Sequence, residues 1–373
     1  LFITIACGAV SGFHALISSG TTPKMLANES QACFIGYGGM LMESFVAIMA
    51  LVAACIIDPG VYFAMNSPMA VLAPAGTTDV VASAAQVVSG WGFSITPDTL
   101  HQIASEVGEQ SIISRAGGAP TLAVGMAYIL HGSLGGLMDV SFWYHFAILF
   151  EALFILTAVD AGTRAARFML QDLLGVISPG LKKTSSLPAN LLATALCVLA
   201  WGYFLHQGVV DPLGGINTLW PLFGIANQML AGMALMLCAV VLFKMKRQRY
   251  AWVALLPTSW LLICTLTAGW QKSFSPDTKV GFLAIANKFQ AMIDSGNIPP
   301  QYTESQLAQL VFNNRLDAGL TIFFMIVVVV LALFSIKTAL AALKEDKPTA
   351  KETPYEPMPE NLDAIETQAK GAH

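Results

Sequence analysis

Ala9-Val-Ser-Gly-Phe-His-Ala-Leu-Ile-Ser-Ser-Gly-Thr-Thr-Pro-Lys24 runs from an apolar stretch directly into Gly, Ser, Thr and Pro, with no charged loop between them. In a bilayer this pattern predicts a broken helix. Backbone N–H and C=O groups released by a break cost several kcal/mol each in hydrocarbon, so unwound chain persists there only where protein or a water-filled cavity satisfies it. Such breaks are where transporters place their substrates. The reading puts the unwound stretch at Ser18-Ser19-Gly20-Thr21 and makes 9–24 the centre of the site.

Composition points the same way. Hydrophobic residues make up 55% of the chain, charged residues 11%, and mean hydropathy is +0.64, whereas soluble domains carry about 25% charged residues. The net charge of −4 offers no basic patch for nucleic acid. All six cysteines lie inside apolar runs without C-x-x-C or His/Cys spacing, which predicts small buried hydrophobes and no metal site. The chain begins at Leu1 with neither an initiator Met nor a basic-then-apolar leader, so further helices are expected upstream.

Apolar stretches near the roughly 20 residues that cross ~30 Å of hydrocarbon occur at 1–19, 34–57, 142–160, 188–207, 217–243, 250–270 and 318–343, with a weaker Gly-rich one at 119–138. Arg164, Arg167, Lys182 and Lys183 follow one span, and Lys244, Lys246, Arg247 and Arg249 follow another. The excess of Lys and Arg on the inner side makes both loops cytoplasmic. Residues 208–216 and 271–317 are then outside, and the tail inside. Residues 1–343 read as a transmembrane domain, 58–141 as an external loop with short or re-entrant helices, and 344–373 as a disordered cytoplasmic tail. Thr78 and Thr96-Pro97 resemble helix starts, and Thr303 with Gln306 has the spacing of a capping box.

Ionisable groups inside spans cost about 2.5–3.5 kcal/mol on insertion scales and face protein or water. Glu43 shares a helical stripe with Gly36, Gly39, Ala47, Ala50 and Ala54; a hydrogen bond between helices and a coupling or gating role both fit it. Glu151 lies with Ala147, Ala158 and Gly162, and the same two roles fit. His145, beside Trp143 and Tyr144, suits an interfacial belt. Asp160 and Arg164 are spaced for an ion pair, and Arg164 and Arg167 also suit inner-side anchors. Asn217, Pro221, Gly224 and Gln228 form a third stripe whose amides serve either helix packing or a lining.

Ser11 to Lys24, Asp160-Ala-Gly-Thr-Arg-Ala-Ala-Arg-Phe168 and Pro221-Leu-Phe-Gly-Ile-Ala-Asn-Gln228 resemble, in order, the carbon starvation protein A (CstA) family, over nearly the whole chain and matching that family's C-terminal half. The resemblance implies a bacterial inner-membrane transporter for peptides or pyruvate, made when preferred carbon runs out. The order of elements also resembles the second half of a leucine-transporter-like (APC superfamily) fold, with its partner repeat upstream. The fold class is therefore an all-α membrane protein, a multi-pass helical bundle.

On this reading Ser11, Gly12, His14, Ser18, Ser19, Gly20, Thr21, Asn217, Asn227 and Gln228 meet the substrate. Glu43, Glu151, Thr157, Asp160, Thr163 and Arg164 serve coupling or gating. Proton coupling is the preferred reading, because desolvation of a buried Glu43 or Glu151 favours the neutral acid that carries a proton; sodium, held by Thr157 and Thr163, is the alternative ion. No cofactor is expected. An enzyme would show a nucleophile motif, and G-x-S-x-G and H-E-x-x-H are both missing. The alternative is a passive channel or a starvation sensor without concentrative transport.

Overall fold

A computed structural model describes residues 2–74, 77–115, 117–184, 186–210, 215–299 and 302–350, with the side chains of 4, 70 and 215–221 excepted. Helix is the only regular structure among the described residues. Long apolar runs dictate this, since a helix satisfies its backbone within the segment. Among the described residues, six helices are long and apolar enough to cross a membrane: Cys33–Ile56, Val140–Ile177, Leu187–Val210, Leu222–Lys244, Trp252–Phe274 and Glu304–Lys344. They cover the expected spans from 34–57 onward.

The first expected span, 1–19, is not one helix. It divides into α1 (Phe2–Ala6) and α2 (Gly12–Gly20), followed by α3 (Thr22–Met25). The chain is unwound over residues 7–11, and Ser11 is extended at φ −106° and ψ 119°. The expected break at Ser18 to Thr21 therefore needs correction. Ser18, Ser19 and Gly20 are helical, because the hydroxyls of Ser18 and Ser19 donate to the carbonyl of Ala15 at 3.0 and 2.8 Å. This internal bonding lets two serines sit in a helix without opening it. Only Thr21 leaves helical geometry.

The described contacts divide the chain into two units, Ser30–Asp160 and Leu1–Glu29 with Ala161–His373. In the first, α4 (Gly38–Ile56) continues a π-helical turn at Cys33–Tyr37. Short helices follow: α5 (Pro59–Asn66), α6 (Met69–Leu72), α7 (Val80–Gly90) and α8 (Pro97–Val107). Asp58 caps α5 by accepting from Gly60 and Val61, and Asp79, one residue beyond the expected Thr78, caps α7. Thr96 caps α8 with Pro97 in its first turn, and Gly108 ends it at φ 79°, where a side chain would be strained. Val61, Met65, Leu72, Val88 and Leu100 are buried together, so the expected external loop is a packed helical layer.

Next come α9 (Gly118–Ser133) and α10 (Val140–Ile177). The 16 residues of α9 reach about 24 Å, short of the hydrocarbon core. Helix α9 lies against α4 so closely that a Cβ on Gly125 would stand 2.1 Å from the Ala53 carbonyl oxygen. Tyr128 on α9 donates to Glu106 on α8 at 2.6 Å. This bond and that of Gln102 hold the Glu106 carboxyl below the usual range; burial and the same bond push the Tyr128 hydroxyl up.

The second unit adds α11 (Leu187–Val210), α12 (Gly215–Lys244), α13 (Trp252–Phe274), α14 (Phe282–Asp294) and α15 (Glu304–Lys344). Helix α12 is its axis, packed against α2, α11, α13 and α15. Helix α15 opens on the expected capping box, with Gln306 N–H donating to Thr303 and Thr303 N–H to Gln306. At 38 and 41 residues, α10 and α15 measure about 57 and 62 Å, nearly twice a hydrocarbon core. Cys7 and Cys197 are buried, but Cys33, Cys55 and Cys238 are exposed, contrary to the expectation for all six. The tail expected to be disordered falls mostly on 351–373, outside the described residues. Before it, the N–H groups of Thr349 and Ala350 donate to the Lys244 carbonyl at the end of α12.

Candidate functional site

The gap between α1 and α2 is closed by two consecutive side chains of α12. Gln228 donates its amide N–H to the carbonyl of Ile3 at 2.7 Å, and Asn227 accepts the N–H of Phe13 at 3.0 Å. A broken helix exposes carbonyls on one side and N–H groups on the other, and one amide serves each side. Asn227 also reaches the Ser11 hydroxyl at 3.5 Å and Cys7 Sγ at 3.7 Å. Asn227 is 7% exposed and Gln228 fully buried, so both amides are committed to the protein interior. The Gln228 carbonyl oxygen finds no partner among the described residues.

Close approach makes this possible. A Cβ on Gly12 would lie 2.3 Å from the Asn227 carbonyl oxygen, and one on Gly224 would lie 3.0 Å from Ile3. On the other side of α2, the Phe13 ring lies where a Cβ on Gly162 would meet it at 3.2 Å. Lys24 pairs with Asp172 at 3.1 Å and lies over the Phe168 ring, while Arg164 Nη1 is 3.8 Å from Met25 Sδ. Segments of all three motifs, Ser11 to Lys24, Gly162 to Phe168 and Gly224 to Gln228, thus converge on α2.

The remaining sequence candidates are dispersed. His14, Ser18 and Ser19 are exposed on α2, Gly20 faces Ala165 and Met169 across ordinary contact distances, and the buried Thr21 hydroxyl has no partner among the described residues. The Asn217 side chain lies outside the described residues. Thr163 is half-buried. Glu43, Glu151, Thr157 and Asp160 belong to the Ser30–Asp160 unit. There Glu43 is exposed, whereas the buried face of α4 is that of Ala53; Thr157 is turned back onto the carbonyl of Phe154 at 2.7 Å. Glu151 is half-buried beside buried Ala147.

Two polar groups escaped the sequence reading. Gln171, 1% exposed, donates to Asn190 at 2.7 Å and ties α10 to α11. Asn313, Asn314, Asp317 and Thr321 are buried on α15, although the span boundary at 318 put most of them outside. Spacing of four residues through 313, 317 and 321 was the available signal.

Three relatives illustrate the comparison. The chain is 94% identical to a peptide transporter CstA of Escherichia coli K12 over its whole length, covering 53% of that protein. It is 58% identical to the pyruvate/proton symporter BtsT of the same organism, over 96% of this chain and 53% of the relative. Identity to a peptide transporter CstA of Mycobacterium tuberculosis H37Rv is 49%, over 93% and 47% respectively. The chain spans about half the length of these curated relatives. No solved structure matches it. The model of the carbon starvation protein CstA family matches residues 1–268, and the chain belongs to that family.

Proposed function

We propose that this chain forms part of an inner-membrane secondary active transporter that imports peptides, pyruvate or both, by alternating access at the break between α1 and α2. One observation carries the reading: in a multi-pass chain, a short unwound segment is flanked by two helices that Asn227 and Gln228 hold from a neighbouring helix, through the Phe13 N–H of α2 and the Ile3 carbonyl of α1. The first turn of α2 adds N–H groups without acceptors of their own helix and the positive end of a helix dipole, both suited to a substrate carboxylate. Relatives named as a peptide transporter and a pyruvate/proton symporter support the substrate classes.

Proton coupling follows the second of those names, with Glu43 or Glu151 as carrier; sodium held by Thr157 and Thr163 is the competing chemistry. The succession of broken helix, long α10 and alternating crossings supports half of a leucine-transporter-like fold, with the basic loops and the C-terminal tail cytoplasmic. Uptake of labelled pyruvate and of a labelled dipeptide into proteoliposomes of the full-length protein, under separate proton and sodium gradients, tests the reading. Concentrative uptake driven by protons is expected. Dissipation of a solute gradient without accumulation would indicate a channel, and no flux of either solute would remove transport.

A further inference from the structure

An apolar groove of about 290 Å³ runs between α12, α13 and α15, lined by Phe243, Leu255, Ala332, Ser335, Ala339 and Leu343 among others. Its direction and depth are informative. On α15 it extends from Ala332 to Leu343, which is about 17 Å of helix and close to half the ~30 Å hydrocarbon core. The groove is therefore as long as one leaflet is deep, and its outer end coincides with the last turns of α12 and α15.

At that end the chemistry changes sign. Phe243 is followed by Lys244 and Leu343 by Lys344, and the two ammonium groups form no ion pair among the described residues. Lys246, Arg247 and Arg249 add positive charge in the turn after α12, against Glu345 and Asp346 in the segment after α15. The turn itself is fixed. Lys246 occupies the left-handed region at φ 59°, where Arg247 N–H reaches back to the Leu242 carbonyl, and its ammonium donates to the Ala342 carbonyl at 2.6 Å. A lysine in a position that favours glycine is strained, and here the bond to α15 holds it and fastens the two helix ends beside the groove. Tyr250 in this turn and Trp252 at the start of α13 stand exposed, as side chains at a membrane interface do.

We propose that this groove is a binding site for one anionic phospholipid, an acyl chain lying along α15 from Leu343 to Ala332 and the phosphate held between Lys244 and Lys344. The leaflet-deep apolar length selects an acyl chain over a soluble ligand, and the two lysines that end α12 and α15, which form no ion pair among the described residues, select a negative headgroup over a zwitterionic one.

Full-length protein in detergent, titrated with dioleoyl phosphatidylglycerol or dioleoyl phosphatidylcholine and read by native mass spectrometry, tests the site. One phosphatidylglycerol per protomer should be retained well above phosphatidylcholine. Lys244→Gln with Lys344→Gln should cut that retention about fivefold for each lysine and bring the two lipids together. Ala339→Leu, which fills the groove, should lower retention of both. Lys244 and Lys344 are the last residues of their helices and are not among the residues that line the groove, so the result of the lysine pair stands even where Ala339→Leu fails to fold. Equal retention of the two lipids by the wild type, or an undiminished preference in the lysine pair, would overturn the proposal.

Discussion

At the scale of single residues, two glycines of the same short helix have opposite surroundings. A Cβ on Gly12 would overlap the backbone of α12, at 2.3 Å from the Asn227 oxygen and 2.8 Å from the Ala231 nitrogen, whereas one on Gly20 would meet only Met169 and Ala165 at 3.8 Å or more. Gly12→Ala should therefore destabilise the detergent-purified full-length protein by about 1–3 kcal/mol, the usual cost of forcing extra volume into a packed site, and Gly20→Ala should leave its melting temperature nearly unchanged. The sequence marked Asn227 only as a substrate contact, and its bond to the chain at the break was not legible. The Phe13 N–H lies 214 residues away in the chain, and no local pattern announces such a bond. Proton coupling also belongs at this scale. A carrier must release its proton in every cycle, so Glu151→Gln should abolish gradient-driven accumulation in vesicles while exchange survives. Wild-type accumulation and pH dependence in both Glu151→Gln and Glu43→Gln would leave the sodium alternative.

At the scale of elements, the join between α8 and α9 carries a pH signature. The Tyr128 hydrogen bond, with that of Gln102, depresses the Glu106 pKa in the folded state. Its contribution is present above the unfolded carboxylate value and is lost as pH falls through the lower folded value. Between about pH 5 and pH 3 the melting temperature should consequently fall more steeply in wild type than in Tyr128→Phe. Helix α15 offers a second test: Thr303→Ala removes one half of its capping box and should cost about 1 kcal/mol, read as faster hydrogen exchange confined to its first turns. The capping box and the Thr96 cap were legible because their geometry is local. The place of the break was not. Ser, Gly and Thr at 18–21 signalled irregularity, yet serine hydroxyls bond to their own helix as readily as they leave it, and the opening at 7–11 depends on amides delivered by α12.

For the whole molecule, hydropathy marked the positions of the six candidate spans because a bilayer-length apolar run leaves the backbone one solution. It did not foretell that α10 and α15 continue far beyond a bilayer, since their polar ends continue the helix without any change of backbone. The sidedness rests on basic residues alone. Cysteines placed singly in 164–183 or 244–249 of the full-length protein should react with impermeant thiol reagents only from the cytoplasmic face, and those in 271–317 only from the opposite face. Labelling of both groups from one side would defeat the orientation. The pairing of Asn227 and Gln228 also constrains any motion at the site. Adjacent residues on a helix point about 100° apart, so a roll of α12 that improves one bond worsens the other. Helices α1 and α2 are clutched to α12 at two points on either side of a flexible joint. Either α12 travels with both halves as a single rocker, or it slips out of both bonds together, and intermediate positions are left with an unsatisfied amide.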